Sequence, residues 1–330
     1  MNDRIPDTPP RIAPVDRSIS KPLWSVMIPT YNCSNYLEDT IGSVLLQDPG
    51  PSKMQIEVVD DYSTDADVEA IVKKFGKGRV GFFRQEENVG SLRNFETCLN
   101  RSKGKWIHLL HGDDLVVQGF YKEIEKLFTN FPEAGAAFTG HIDIDSNGKQ
   151  IHDNSRKILD KPGIINDWLS KISRAQQIQP PSIVVRRNVY EQLGSFYAVH
   201  YGEDWEMWVR IAANFPVAYS PQHLARYRIH DNNITSRSFL SGQSITDINK
   251  VIEIIQEYLP DEDKKSAKKS ALEHFSRYFA RMSDKIYHEH NHPEIAIAQA
   301  ERSLKMDMNS TTIYFLLKMY IKRLLHYDQK

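Results

Sequence analysis

The chain has 330 residues, 40% hydrophobic and 26% charged, the balance of an ordinary globular protein with length for about two domains. A formal net charge of −1 speaks against nucleic-acid binding as the main role, because neutralising phosphates needs a basic excess. Two cysteines, Cys33 and Cys98, exclude a disulfide framework or a cysteine-built zinc cluster.

Residues 1–21, rich in Pro, Asp, Arg and Ser, are expected to be a flexible leader. They lack the apolar core of a signal peptide, and no apolar run approaches the roughly 18 residues of a membrane span. The expectation is a cytoplasmic protein. Leu23–Ile28 is a short apolar run ended by Pro29 and predicts a strand. Asn35–Gln47 then spaces Leu37, Ile41, Val44 and Leu45 as a helix does. Gln55–Val59 reads as a strand, Val68–Phe75 as a helix, and Arg79–Arg84 as a strand. A helix runs through Leu92, Phe95, Cys98 and Leu99, followed by a strand at Trp106–Leu110, a helix at Gln118–Phe128 and a strand at Ala136–Thr139. This alternation predicts right-handed βαβ crossovers and an α/β domain with a mostly parallel central sheet.

After Gly140 the pattern changes. A hairpin is expected around Ser146-Asn147-Gly148, and a helix within the loop Asp160–Ser173. Then come a strand at Pro180–Val185, a helix at Glu203–Ala213 and a strand at Leu224–Ile229. From about Ser241 the chain is helical and charged, so the expected division is 1–21, 22–240 and 241–330. Glu294–Met308 and Thr311–Leu325 read as one helical hairpin of tetratricopeptide type, with no second copy.

In an open α/β sheet, ligands bind at the carboxyl ends of the strands. The first strand delivers Pro29-Thr30-Tyr31-Asn32 there, and the second Asp60-Asp61-Tyr62-Ser63-Thr64-Asp65. The third leads into Glu87-Asn88-Val89-Gly90 and Arg93-Asn94, and the fourth into His111-Gly112-Asp113-Asp114. Each cluster alone is ordinary turn or helix-cap chemistry; four on one rim are not. The adjacent carboxylates Asp113 and Asp114 suit a hard divalent cation, Mg²⁺ or Mn²⁺, completed by substrate phosphates; a solvated helix start is the plainer alternative. Glu203 and Asp204 open a helix, where a carboxylate can serve as general base or simply complement the helix dipole. His230 follows a strand and is a candidate metal ligand or diphosphate contact, with Arg226 and Arg228 near enough in sequence to neutralise phosphate.

The segments SVMIPTYN, IEVVDDYSTD, ENVGSLRN, GKWIHLLHGDDL, GEDWEMWVRIA and YRIHDNNITS, in this order over residues 23–236, resemble the family 2 glycosyltransferases of GT-A fold. The resemblance implies inverting transfer of a sugar from a nucleotide-sugar donor to an acceptor hydroxyl, on a glycan or a lipid-linked glycan. It implies that Pro29, Thr30 and Tyr31 line the base and ribose, that Asp60, Asp61 and Arg93 belong to the nucleotide site, and that Asp113 contacts ribose or metal. Asp114 then binds the metal directly, His230 lies near metal and diphosphate, and Asp204, with Glu203 beside it, is the catalytic base. The chain departs from the fuller Asp-rich motif of many members by carrying His111 and Gly112 before the pair.

No GxxxxGK[ST] and no GxGxxG after the first strand are present, which disfavours a P-loop phosphotransferase and a dinucleotide-dependent dehydrogenase. A sugar nucleotidyltransferase is the rival enzyme, though PTYN is no glycine-rich basic loop. An inert transferase-like scaffold is the non-enzymatic rival. The last helix, Thr311–Lys330, mixes apolar residues with Lys318, Lys322 and Arg323, and such a helix can lie on a membrane surface, pack on its neighbours or pair with a second copy.

Overall fold

The structure is a computed structural model and describes residues 4–16, 21–152, 157–230, 234–289 and 292–325, with backbone alone at 152, 234–237 and 289. The motif residues 231–233 and the last residues of the predicted terminal helix, 326–330, lie outside them. The chain divides into two compact units: Met1–Trp168 with Gln177–Ala198 and Arg210–His230, and Leu169–Gln176 with Val199–Val209 and Asp231–Lys330.

The first unit is built on one sheet. In chain order it holds β1 (Trp24–Thr30), α1 (Ser34–Leu45), β2 (Met54–Asp60), α2 (Val68–Gly76), β3 (Gly81–Arg84), α3 (Ser91–Arg101) and β4 (Trp106–Leu109). Further along the chain come β5 (Leu115–Val116), α4 (Phe120–Asn130), β6 (Ala136–Ile144), β7 (Gln150–His152), β8 (Gly163–Ile164), α5 (Trp168–Ile172), β9 (Ile183–Arg186), α6 (Arg187–Leu193), α7 (Glu203–Asn214) and β10 (Val217–Arg228), of which α5 from Leu169 and α7 through Val209 belong to the second unit. The strand order is β3-β2-β1-β4-β9-β6-β10-β5. β3, β2, β1 and β4 are mutually parallel, whereas β9 lies antiparallel between β4 and β6. All seven residues of β1 are buried, so its apolar run is continuous rather than alternating, as a strand covered on both faces requires.

Packing explains the local choices. α1 buries Leu37, Ile41 and Val44 on one stripe. Trp24 of β1 meets Trp106 of β4 edge-on at 4.9 Å and Tyr121 of α4 at 5.1 Å, contacts worth about 1 kcal/mol each beyond their buried area. Gly104 precedes β4 where a Cβ would stand 2.4 Å from the backbone of Trp24 and Ser25, so no other residue lets β4 dock on β1. His108, inside β4, is a core histidine: Nε2 faces the Pro181 carbonyl at 3.1 Å and Nδ1 the Tyr121 hydroxyl at 3.2 Å.

The segment expected to be a flexible leader makes contacts in the first unit. Ile12 is buried, the Pro6 and Pro10 carbonyls accept from the amides of Ala198 and Ser195, and the Ala13 carbonyl accepts from Arg187. The strand expected at Leu224–Ile229 is longer, beginning at Val217, because β10 pairs with β6 along its length through two register shifts.

The second unit is mainly helical: α8 (Ile234–Ser241), α9 (Gln243–Ile255), α10 (Asp261–Glu289), α11 (Pro293–Met306) and α12 (Ser310–Leu324). Its core joins Ile245, Ile248, Val251, Ile252 and Ile255 of α9 to Phe275 and Phe279 of α10. Trp205 at the start of α7 packs on Phe275 at 4.8 Å and donates its indole N–H to the Ile172 carbonyl. Asn309 and Thr312 form a reciprocal capping box at the start of α12, worth about 1 kcal/mol.

Candidate active site

The chain leaves β1 toward β2 and β3 on one side and later returns to β4 on the other. The crevice between β1 and β4 is therefore a topological switch point, where open α/β sheets bind ligands. Two turns meet there. The Gly112 N–H donates to the Pro29 carbonyl at 3.0 Å, and the Thr40 hydroxyl of α1 reaches the carbonyls of Gly112 and Asp114 at 3.0 and 2.8 Å. A Cβ at Gly112 would lie 2.8 Å from Thr30 Oγ1 and 2.9 Å from Cys33 Sγ, so glycine is what allows the turn after β4 to press against the end of β1.

That turn presents His111, Asp113 and Asp114, with one ligand atom from each lying within 4.8 Å of the others. Asp114 is 1% exposed. Its Oδ1 accepts the Arg228 N–H at 2.8 Å, but its Oδ2 is buried with no hydrogen-bond partner. Burial and the neighbouring Asp113 charge push the Asp114 carboxyl well above the usual carboxylate range. Burial acts on Asp113 in the same sense, yet the His230 hydrogen bond at 3.0 Å, with the electrostatic influence of the nearby imidazoles, outweighs it and holds Asp113 low. Burial also depresses His111, which stacks on Phe95, so its imidazole is neutral and can offer a lone pair. The turn after β4 thus holds an ionised carboxylate, a buried partner carboxyl of raised proton affinity and an imidazole.

The acids after β2 are committed to the loops that frame the crevice. Asp60 accepts from the Ser63 hydroxyl at 2.5 Å and from Arg84 at 2.7 Å. Asp61 accepts from the N–H groups of Val89 and Gly90 at 2.8 and 2.9 Å and from the Asn88 amide at 2.7 Å. Burial raises the Asp61 carboxyl to about 6 against these donors. Asp65 accepts the Ser34 N–H and so satisfies an open donor of α1, while Asn32, at φ 49°, accepts the Thr64 N–H. These bonds lace the loops after β1, β2 and β3 together.

In the second unit, Glu203 and Asp204 open α7. Asp204 Oδ2 accepts from the Gln176 amide at 2.6 Å, and its Oδ1 from the Trp205 N–H at 2.7 Å. Burial raises Asp204 to about 6, while burial and the Asp204 charge push Glu203 well above the carboxylate range. Two adjacent carboxyls are again driven apart in proton affinity, the arrangement from which an acid–base pair is made.

The sequence profile described as Glycosyl transferase family 2 matches residues 25–202. The chain belongs to that family. Among curated relatives, the putative teichuronic acid biosynthesis glycosyltransferase TuaG of Bacillus subtilis is 29% identical over 71% of this chain and 89% of its own. An uncharacterised protein of Mycobacterium tuberculosis is 26% identical over 71% of this chain and 75% of its own. Among solved structures, S. aureus TarS 1–349 in complex with UDP-GlcNAc aligns with a TM-score of 0.63 at 17% identity, covering 92% of this chain and 86% of TarS. The mannosyltransferase PcManGT from Pyrobaculum calidifontis, in complex with GDP-Man and Mn²⁺, aligns at 0.54 and 17% identity over 97% and 92%. These structural likenesses show the GT-A fold.

Within this glycosyltransferase, the expected site residues have distinct surroundings. His230, expected as a metal ligand, is hydrogen-bonded to Asp113 and is not a member of the three-ligand cluster. His111, which the sequence reading left out of the metal set, is a member. Arg228 is engaged by the protein itself. It is 2% exposed, its guanidinium donates to the Asp113, Asp145 and Ser146 carbonyls and pairs with Asp39, and it lies over the Tyr36 ring. Arg93 pairs with Glu96 one turn along α3 and lines an open cleft of about 420 Å³ with Gln85, Thr97 and Asn100; none of the HGDD residues lines that cleft. Pro29 and Thr30 are buried at the end of β1, and Tyr31 beyond them is exposed.

The cluster fits a divalent cation. A buried carboxyl oxygen without a hydrogen-bond partner is costly, and a cation is the partner that would relieve both the orphaned Asp114 Oδ2 and its repulsion from Asp113. One imidazole and two carboxylates form a mixed N/O donor set suited to Mn²⁺ as well as Mg²⁺.

Proposed function

We propose that this glycosyltransferase is an inverting enzyme that moves a sugar from a nucleotide-sugar donor to a hydroxyl of a glycan or lipid-linked glycan, with a divalent cation held by His111, Asp113 and Asp114. The observation that carries the metal assignment is the buried, unpartnered Asp114 Oδ2 beside Asp113 at the switch point. When bound, the ion would neutralise charge developing on the leaving diphosphate. Tyr31 and the loops held by Asp60 and Asp61 frame the nucleotide. His230 keeps Asp113 ionised and oriented through its Nε2. Asp204, raised to about 6, is still ionised at neutral pH and basic enough to take the acceptor proton, with the Gln176 amide fixing its orientation. The acceptor oxygen bonds to the anomeric carbon, the bond from that carbon to the diphosphate breaks, and the proton passes to Asp204.

Two features favour this over a sugar nucleotidyltransferase: the family match and an Asp204 poised as a base. The test is nucleotide release from a panel of nucleotide sugars with Mn²⁺, in the wild type, Asp114→Asn and Asp204→Asn. Metal-dependent release by the wild type is expected. Asp114→Asn should weaken metal-dependent donor binding, and Asp204→Asn should bind donor yet lose transfer. Undiminished wild-type turnover in chelator would remove the metal from the reading, and full turnover by Asp204→Asn would remove the base.

A further inference from the structure

α12 packs into the second unit through Thr312 and Met319, and its outward face is exposed among the described residues. That face carries Ile313, Tyr314, Leu317, Tyr320, Ile321 and Leu324, with Leu325 just beyond, each 41–80% exposed. Ile313, Leu317, Tyr320 and Leu324 follow one another at spacings of four, three and four residues, and Tyr314 and Ile321 repeat at seven. This is the seam by which one helix packs lengthwise on another, not a scatter of exposed apolar side chains.

The charges on the same helix decide what kind of surface this is. Lys318 and Lys322 both pair with Asp284 of α10, at 2.7 and 2.5 Å, and Arg323 pairs with Glu294 of α11 at 3.1 Å. The Tyr320 hydroxyl donates to Glu301 of α11 at 2.5 Å. The basic residues that would hold a helix on anionic lipid are thus engaged by acids of the protein's own helices, Lys318 and Lys322 sharing one carboxylate. What remains outward is an apolar stripe without uncommitted cations, which suits an apolar protein face.

We infer that α12 is a self-association surface, its seam packing against α12 of a second copy of this chain. The seven exposed side chains offer roughly 700 Å² per copy at about 100 Å² each, close to the ~800 Å² per partner of a standard interface. The inference stands apart from the catalytic reading, because none of these residues belongs to the proposed site.

Sedimentation equilibrium of the full chain across about 1–100 µM tests it. The wild type should show a concentration-dependent dimer. Leu317→Glu with Leu324→Glu should weaken it at least tenfold, while helicity and nucleotide-sugar binding stay unchanged. The milder pair Ile313→Ser and Ile321→Ser, also on the exposed face, should weaken it in the same direction and guards against misfolding of the first. A wild type that stays monomeric throughout, or a dimer that neither pair of substitutions weakens, would overturn the inference. So would a monomeric wild type captured by phosphatidylcholine–phosphatidylglycerol vesicles through the same residues, which would make the face a membrane contact.

Discussion

Asp114→Asn separates a metal-binding carboxylate from a structural one by the sign of its effect on stability. In the metal-free protein, Asp114 Oδ2 is buried and unpartnered, and the Asp113 charge opposes ionisation of its neighbour. An asparagine keeps the Oδ1 that accepts from Arg228 N–H and puts an amide donor where the orphaned oxygen was, beside the acceptors of Asp113 and His111. Removing one buried unsatisfied polar atom recovers about 1–3 kcal/mol. At roughly 2–4 °C per kcal/mol, the metal-free variant should melt several degrees above the metal-free wild type. With Mn²⁺ the order reverses. A cation at a hundred times its dissociation constant stabilises the wild type by about 2.7 kcal/mol, and the variant should lose most of that gain. Calorimetry of both proteins at pH 7.5, in chelator and then across a Mn²⁺ series, reads both signs. A variant that melts below wild type in chelator and keeps the full Mn²⁺ shift would refute the reasoning, because Asp114 would then be a structural acceptor.

Gly112→Ala should cost about 1–3 kcal/mol by overpacking against Thr30 and Cys33 and should blunt the Mn²⁺ shift, whereas Gly42→Ala in α1, with nothing within 4 Å of its new Cβ, should be neutral or stabilise by about 0.5–1 kcal/mol; urea titrations of the two compare them directly. The rate profile should lose activity below about pH 6, tenfold per unit, as Asp204 takes up its proton; a profile flat down to pH 5 would argue against this base. His108 is held at about 3 by burial against an ordinary 6.5, so its contribution is complete above pH 6.5 and is lost as pH falls toward 3. That amounts to about 2 kcal/mol by pH 5, and His108→Gln should flatten the slope of unfolding free energy between those pH values.

The motifs at strand ends were legible because a parallel sheet announces itself locally. Apolar runs such as Leu23–Ile28 and Trp106–Leu110, alternating with helical spacings, fix the direction of each strand and so the rim on which Pro29, Asp60, Asn88 and Asp113 emerge. Residue type alone also marked Asp113 and Asp114, since adjacent carboxylates need a reason to coexist. Local pattern could not assign partners. Asp61 has the composition of a ligand, yet three donors from the loop after β3 occupy it. Arg228 has the composition of a phosphate clamp but is buried on carbonyls and Asp39. Gln176, which orients Asp204 from 28 positions away, carried no signal at all.

The order of strands and helices, the acidic pair and the family motifs were therefore set within short windows of the chain, where periodicity and residue chemistry operate. Which side chains are committed to the scaffold, and which remain to meet a ligand, was decided by the tertiary structure. The insertion of β9 between β4 and β6, the His230–Asp113 bond and the approach of Gly112 to Thr30 all join residues far apart in sequence. Burial and hydrogen-bond satisfaction depend on such long-range neighbours, and they turn Asp114 from one more acidic residue into a buried carboxyl that lacks a partner.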